Sequence, residues 1–130
     1  MAHWADGYIG QPYIAGKADC ARLLSTVRQE VFSLPVPEEI EVERSESRLG
    51  RSGQMTDLVA LYGEKTDSPV EGDAVLMICA SRPSHIGVYC EVDGNKCVLH
   101  AMEGAGMVVL HRIRDLDKYF LKVEGYYTWK

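Results

Sequence analysis

No stretch of the chain approaches the roughly 18 consecutive apolar residues that a membrane-spanning helix requires, so no such span is expected. Basic residues are also short: 14 Lys and Arg stand against 19 Asp and Glu, a formal net charge of -5. That balance argues against a phosphate-backbone partner, and no nucleic acid is expected. Cysteine is sparse, with Cys20, Cys79, Cys90 and Cys97 the only four, and none forms the close C-x-x-C pair of a zinc site. Reduced thiols, rather than a disulfide scaffold or a metal centre, are the expectation. The opening "MAHWADGYIG" has neither a basic nor an apolar leader segment, so the chain reads as cytoplasmic when synthesised, without a signal peptide. There is no internal repeat and no low-complexity tract. What remains is 130 residues, 46% of them hydrophobic, which fits a single domain over 1–130 built around one core.

The first half reads helical and the second half stranded. In "CARLLSTVRQEVFS" (20–33), Leu23, Leu24, Val27 and Val31 recur at helical spacing, and Leu34-Pro35 ends the run. Residues 35–53 are charged and broken by Pro and Gly, as a solvated loop is, and no chemistry is assigned to them. "QMTDLVALYG" (54–63) fits a second helix. After the turn-rich "TDSPVEGD", the apolar run "AVLMICA" (74–80) reads as a buried strand with Cys79 in the core.

"SHIGVYCEV" alternates. Ile86, Val88, Cys90 and Val92 share one face, His85, Gly87, Tyr89 and Glu91 the other. Asp93-Gly94 is the dipeptide that a two-residue hairpin prefers, and it pairs Val92 with Asn95, Cys90 with Cys97 and Gly87 with His100. His85 is then the diagonal neighbour of His100, roughly 7–8 Å away at the backbone and on the same face. Cys90 and Cys97 face each other as packed thiols on the apolar side, with a disulfide as the minor alternative. A zinc site from Cys90, Cys97 and His100 is disfavoured because alternation sends His100 to the opposite face. His3 and His111 lack an evident partner and read as surface or structural groups.

A lone cysteine at a helix start is often a small core residue, and a lone strand histidine is often structural. Thiol chemistry makes a sharper reading available, because the nucleophile is the thiolate and both a helix N-terminus and a nearby imidazolium favour it. Asp19 is a good N-cap, which places Cys20 at the first helical position, where backbone N–H groups point out of the helix end and can hold an oxyanion. The charge of Asp19 opposes the thiolate, so the histidine has to be the larger influence. His85 is the candidate base, and His100 the group that orients it.

Read together, "GQPYIAGKADC" (10–20), "EGDAVLM" (71–77), "SHIGVY" (84–89) and "VLHA" (98–101) resemble the successive signatures of the NlpC family of papain-like cell-wall cysteine endopeptidases. The order Cys20, His85, His100 matches that family's unpermuted branch. The resemblance implies an α+β papain-like (NlpC-type) fold: N-terminal helices, the nucleophile at a helix N-terminus, packed on an antiparallel sheet that bears the two histidines. It implies that Tyr13 lies at the active site and helps polarise the substrate carbonyl, and that Tyr13, Asp19, Ala21 and Arg22 form the oxyanion and substrate-binding surroundings. Where family members carry a small pair after the cysteine and a paired-glycine turn before it, this chain has Ala21-Arg22 and Gly16-Lys17. Arg22 sits in a first turn that favours anions; it either grips a substrate carboxylate or reaches solvent.

The resulting expectation is a cysteine peptidase that hydrolyses an amide in a peptidoglycan stem peptide, at the bond between D-glutamate and the diamino acid, through a Cys20-His85-His100 triad without metal or organic cofactor. One alternative is an amidase or acyltransferase using the same thiol on another substrate; another is a tail-assembly or binding protein with a weakly active site. Since peptidoglycan lies outside the cytoplasmic membrane, the expected carrier is a phage tail or injection machine, with a cytoplasmic recycling enzyme as the competing explanation.

Overall fold

The computed structural model describes residues 3–14, 19–34, 59, 63–79 and 81–129. The expected loop over 35–53, and the expected helix over 54–63 apart from the helical Val59 and the strand residue Gly63, lie outside them. Helix α1 spans Cys20–Glu30, and its start is the one expected: the Asp19 carboxylate accepts the Arg22 N–H at 3.0 Å. Such a cap is worth about 1 kcal/mol. The helix stops short of residue 33 because Val31 is already its C-cap and Ser33 takes a positive φ of 54°. Leu23, Leu24 and Val27, with Ala21, bury the apolar stripe against Ile86, Val88, Leu99 and Ala101 of the sheet. Arg28 anchors the far end, buried and donating to the Gly72 carbonyl at 3.2 Å. Burial lowers its pKa to about 10, against the opposing pull of Asp73.

The sheet contains β1 (Gly63–Thr66), β2 (Ala74–Cys79), β3 (Arg82–Val92), β4 (Asn95–Met102), β5 (Met107–Arg112) and β6 (Leu121–Trp129). Its spatial order is β1-β6-β2-β3-β4-β5, and every pairing is antiparallel. The β3–β4 hairpin has the predicted register, with Val92 opposite Asn95 and Cys90 opposite Cys97. Asp93 and Gly94 both have positive φ, 51° and 78°, as the mirror-image turn of a twisted hairpin demands. Cys90 and Cys97 are free thiols buried on the α1 side, and burial pushes the Cys90 thiol up to about 12. Cys79 departs from its expected place in the core: it is exposed, because it is the last residue of β2, beside the turn at Ser81.

The expected α+β papain-like fold with N-terminal helices is overturned. The protein is mostly a six-stranded antiparallel sheet. Among the described residues α-helix is limited to α1 and the position of Val59, and the segment before α1 forms the 3-10 turn Trp4–Gly7 and an isolated bridge from Pro12 to Met107. The cause lies in the C-terminal third, where "MVVLHR" and "LKVEGYYTW" add two strands and β6 inserts between β1 and β2. The interior differs from a single core as well. One apolar cluster lies between the sheet and α1; a second, formed by Val75, Met77, Tyr89 and Val98, packs with Leu116 and Leu121 on the other side.

Gly87 marks a close approach within the hairpin. A Cβ there would lie 2.5 Å from Val98 Cγ2, 2.9 Å from the Leu99 carbonyl oxygen and 3.1 Å from His100 Cβ. Two of these three are a strand backbone and a Cβ, which do not swing aside. We expect Gly87→Ala to destabilise the fold by about 1–3 kcal/mol, read as a lowered urea midpoint at unchanged slope. An unchanged midpoint would show that β3 and β4 do not approach this closely.

Candidate functional site

The site grows from an irregularity in β3. Met77 of β2 pairs with His85, but its neighbour Ile78 pairs with Pro83, so Ser84 is an extra residue in the strand. A second shift lies on the other flank of β2, where Leu76 pairs with Gly125 and Met77 with Val123. Such bulges bend a strand, sharpen its twist and re-aim the adjacent side chain. His85 is that side chain.

His85 Nε2 lies 2.8 Å from Nδ1 of His100, with the two rings nearly perpendicular. This is the pairing the hairpin register predicts. His100 is 0% exposed, and its other nitrogen, Nε2, lies 3.0 Å from Nδ1 of His111. The His111 ring in turn stacks on Tyr119 with centroids 3.9 Å apart and planes 13° from parallel. Three imidazoles therefore form one continuous hydrogen-bonded chain, from the β3 bulge through β4 to β5.

His111, read from sequence as a surface or structural group, is thus a correction. In β5 it pairs with Val98, while His100 pairs with Val109, which makes His111 a diagonal neighbour of His100 on the same face. Carrying the alternation of β4 across the Glu103–Ala105 turn into "MVVLHR" is the signal that finds it. His3, by contrast, is structural: it caps the Trp4–Gly7 turn and pairs with Glu71 at 3.0 Å.

Burial, and after it the neighbouring His85 and His111, lowers the His100 pKa to about 2. The His111 pKa is also lowered by burial, against the pull of the Asp115 carboxylate. His100 is therefore neutral at neutral pH, with one N–H donor and one acceptor, and its two hydrogen bonds must run in the same direction along the chain.

Cys20 occupies the first position of α1, 8% exposed, in the apolar cluster that also holds Ile86, Leu99 and Ala101. Those residues are chain neighbours of His85 and His100. The thiol belongs to the α1 side of the sheet, and the His100 and His111 rings lie on the side of Val98 and Met77. Asp19 is buried at the helix cap, and Ala21 is fully buried. Arg22, half-exposed, lines a cleft with Gln11, Pro12, Asp19, Leu23 and Thr26 that reaches Ala101 and Val108. Tyr13 is half-buried against the α1-side cluster, its N–H donating to the Gly106 carbonyl at 2.9 Å. The structure brings the histidines into one chain, and gathers Asp19, Cys20 and Arg22 at one helix end.

Among the described residues, no three His, Cys, Asp or Glu side chains converge as metal ligands do. No helix there is long and apolar enough to cross a membrane. No protein-family model, curated protein or solved structure matches the chain.

The depressed pKa of His100 ties stability to pH. The unfolded chain takes up a proton near 6.5 and the folded one does not, so this contribution is complete above about pH 6.5 and is lost as pH falls below it. From pH 6.5 to 5 the expected loss is about 2 kcal/mol. His100→Gln, which has no titratable ring, should be less stable at pH 7.5 but lose less on acidification. Parallel urea curves for the two proteins across that range would refute the assignment.

Proposed function

We propose that the protein is a cysteine hydrolase that cuts an amide bond in a peptidoglycan stem peptide. The observation that carries the reading is the 2.8 Å contact between His85 Nε2 and His100 Nδ1, with Cys20 at the start of the helix that packs on the same two strands. A thiol at a helix N-terminus, a histidine at a bulge and a second ring that fixes its orientation are the components of nucleophile–base–orienter chemistry.

In this mechanism His85 Nδ1 takes the thiol proton, and the Cys20 sulfur bonds to the carbonyl carbon. The carbonyl electrons become an oxyanion, facing the outward N–H groups of the first turn of α1. His85 then protonates the departing amine as the C–N bond breaks, leaving a thioester. Water, deprotonated by His85, attacks the thioester and releases the acid and the Cys20 thiol. The substrate class, and the D-glutamyl–diamino acid bond within it, rest on the resemblance to NlpC endopeptidases; so does delivery by a phage tail. Arg22, two residues after Cys20, lines the cleft and would meet a stem-peptide carboxylate bound there.

Mass spectrometry of products from intact sacculi and from free stem peptides names the bond and the preferred substrate form. Cys20→Ala should reduce product release to background, and His85→Ala should lower it by about 10²–10⁴-fold, with His100→Ala losing less. Release of the same products by Cys20→Ala at the wild-type rate would overturn the reading. Cutting of sacculi fits a tail-mounted enzyme; cutting confined to free peptides fits recycling.

A further inference from the structure

A triad needs two histidines, and this fold has three in a row. The third is the group the mechanism above leaves unused. We propose that His111 is a positioning residue: its Nδ1 accepts the Nε2–H of His100, which makes His100 Nδ1 the acceptor of the His85 Nε2–H and leaves His85 Nδ1 without a proton, able to act as a base. The proposal rests on the hydrolase reading for its consequence, but not for its geometry.

The argument is one of proton counting. His100 is wholly buried, with a nitrogen partner at each end, 2.8 Å to His85 and 3.0 Å to His111. A neutral ring there has one proton, so the chain has only two states. In one, every N–H points from His85 toward His111, and His85 Nδ1 is a base. In the other, every N–H points back toward His85, whose own proton must then sit on Nδ1, and the base is lost. Whichever state His111 adopts sets the other two rings.

The surroundings of His111 favour the first state. Nδ1 is the nitrogen turned to His100, so the remaining ring position, Nε2, holds the proton when Nδ1 accepts. The groups facing the ring are His100 from β4, with His85 beyond it on β3, and Asp115 and Tyr119 from the 3-10 segment Ile113–Tyr119. Asp115 is paired with Arg112 at 2.7 Å and Lys118 at 3.3 Å, and its pull on a proton is outweighed by burial, which lowers the His111 pKa and keeps the ring neutral at pH 7.5, as the first state requires. Stacking on Tyr119 fixes the plane of the ring. A proton added to His111 reverses the chain, because Nδ1–H can only donate.

Nitrogen-15 NMR of the imidazoles in the full chain reads the tautomers directly. At pH 7.5 the wild type should show His100 and His85 protonated at Nε2. His111→Asn, whose side-chain oxygen can accept where Nδ1 did, should keep that pattern and hold kcat within about threefold. His111→Leu, which offers no acceptor, should move the His100 proton to Nδ1 or mix the two forms, and lower kcat by about tenfold or more at little change in KM. The acid limb of the rate profile should lie lower in His111→Asn than in the wild type, since Asn does not titrate. A His100 proton on Nδ1 in the wild type would overturn the proposal. So would an unchanged tautomer in His111→Leu, or equal losses in the Asn and Leu variants at equal thermal stability. If the tautomers move as stated while even the wild type hydrolyses nothing, the positioning role stands and the hydrolase reading falls.

Discussion

His100 has no exposed surface, so each of its ring nitrogens must find a partner inside the protein, and leaving one unmet would cost about 1–3 kcal/mol. One nitrogen meets His85 of β3 and the other meets His111 of β5. Those contacts exist only if β3, β4 and β5 keep their registers, because slipping a strand by one residue sends its side chains to the opposite face. The glycine beside His100 belongs to the same constraint, since a Cβ at Gly87 would collide with the side chains and backbone of β4. Satisfying one buried imidazole thus specifies the alignment of half the sheet.

The sheet divides the chemistry between its faces. On one face α1 buries its apolar stripe, with Asp19 closing its first turn and Arg28 tying its last to Gly72. On the other lie the imidazole chain and the second apolar cluster, adjoining the Ile113–Tyr119 segment. The extra residue Ser84 bends β3 immediately before His85. On the hydrolase reading, the bulge is as much a part of the site as the side chains.

How much of this was legible in the sequence follows from which signals are local. The hairpin was, since alternation and Asp93-Gly94 together allow only one register, and the contact between His85 and His100 followed from it. The start of α1 was, through the cap at Asp19. The position of β6 was not. It pairs with β1 and β2, strands that precede it by many residues, and no local pattern says which edges a strand will join. The fold class went with it: motif resemblance suggested several helices on a sheet, whereas the chain uses its C-terminal third to widen the sheet. Cys79 misled for a similar reason, because an apolar run shows a strand without showing where the sheet ends. His111 was within reach, needing only the β4–β5 alternation; without a partner in view, its ring looked like any other polar group on a strand.

The all-imidazole chain has a consequence that a carboxylate in its place would not. A carboxylate behind His85 would stabilise an imidazolium by its full charge; a neutral ring offers only the dipole of an N–H or a lone pair. Two charged imidazoles in hydrogen-bond contact repel strongly, and burial keeps His100 from holding a charge at all near neutral pH. The three rings therefore share at most one excess proton. On the hydrolase reading, a proton supplied by Cys20 rests on His85, where the leaving amine needs it. When solvent supplies it, it enters at the half-buried His111, which has the Asp115 carboxylate nearby, and turns the hydrogen bonds to face the other way. The thiol and the solvent compete for one vacancy, from opposite ends of the same chain. On that reading, the protonation of a ring on β5 is felt at Cys20 through the orientation of two hydrogen bonds.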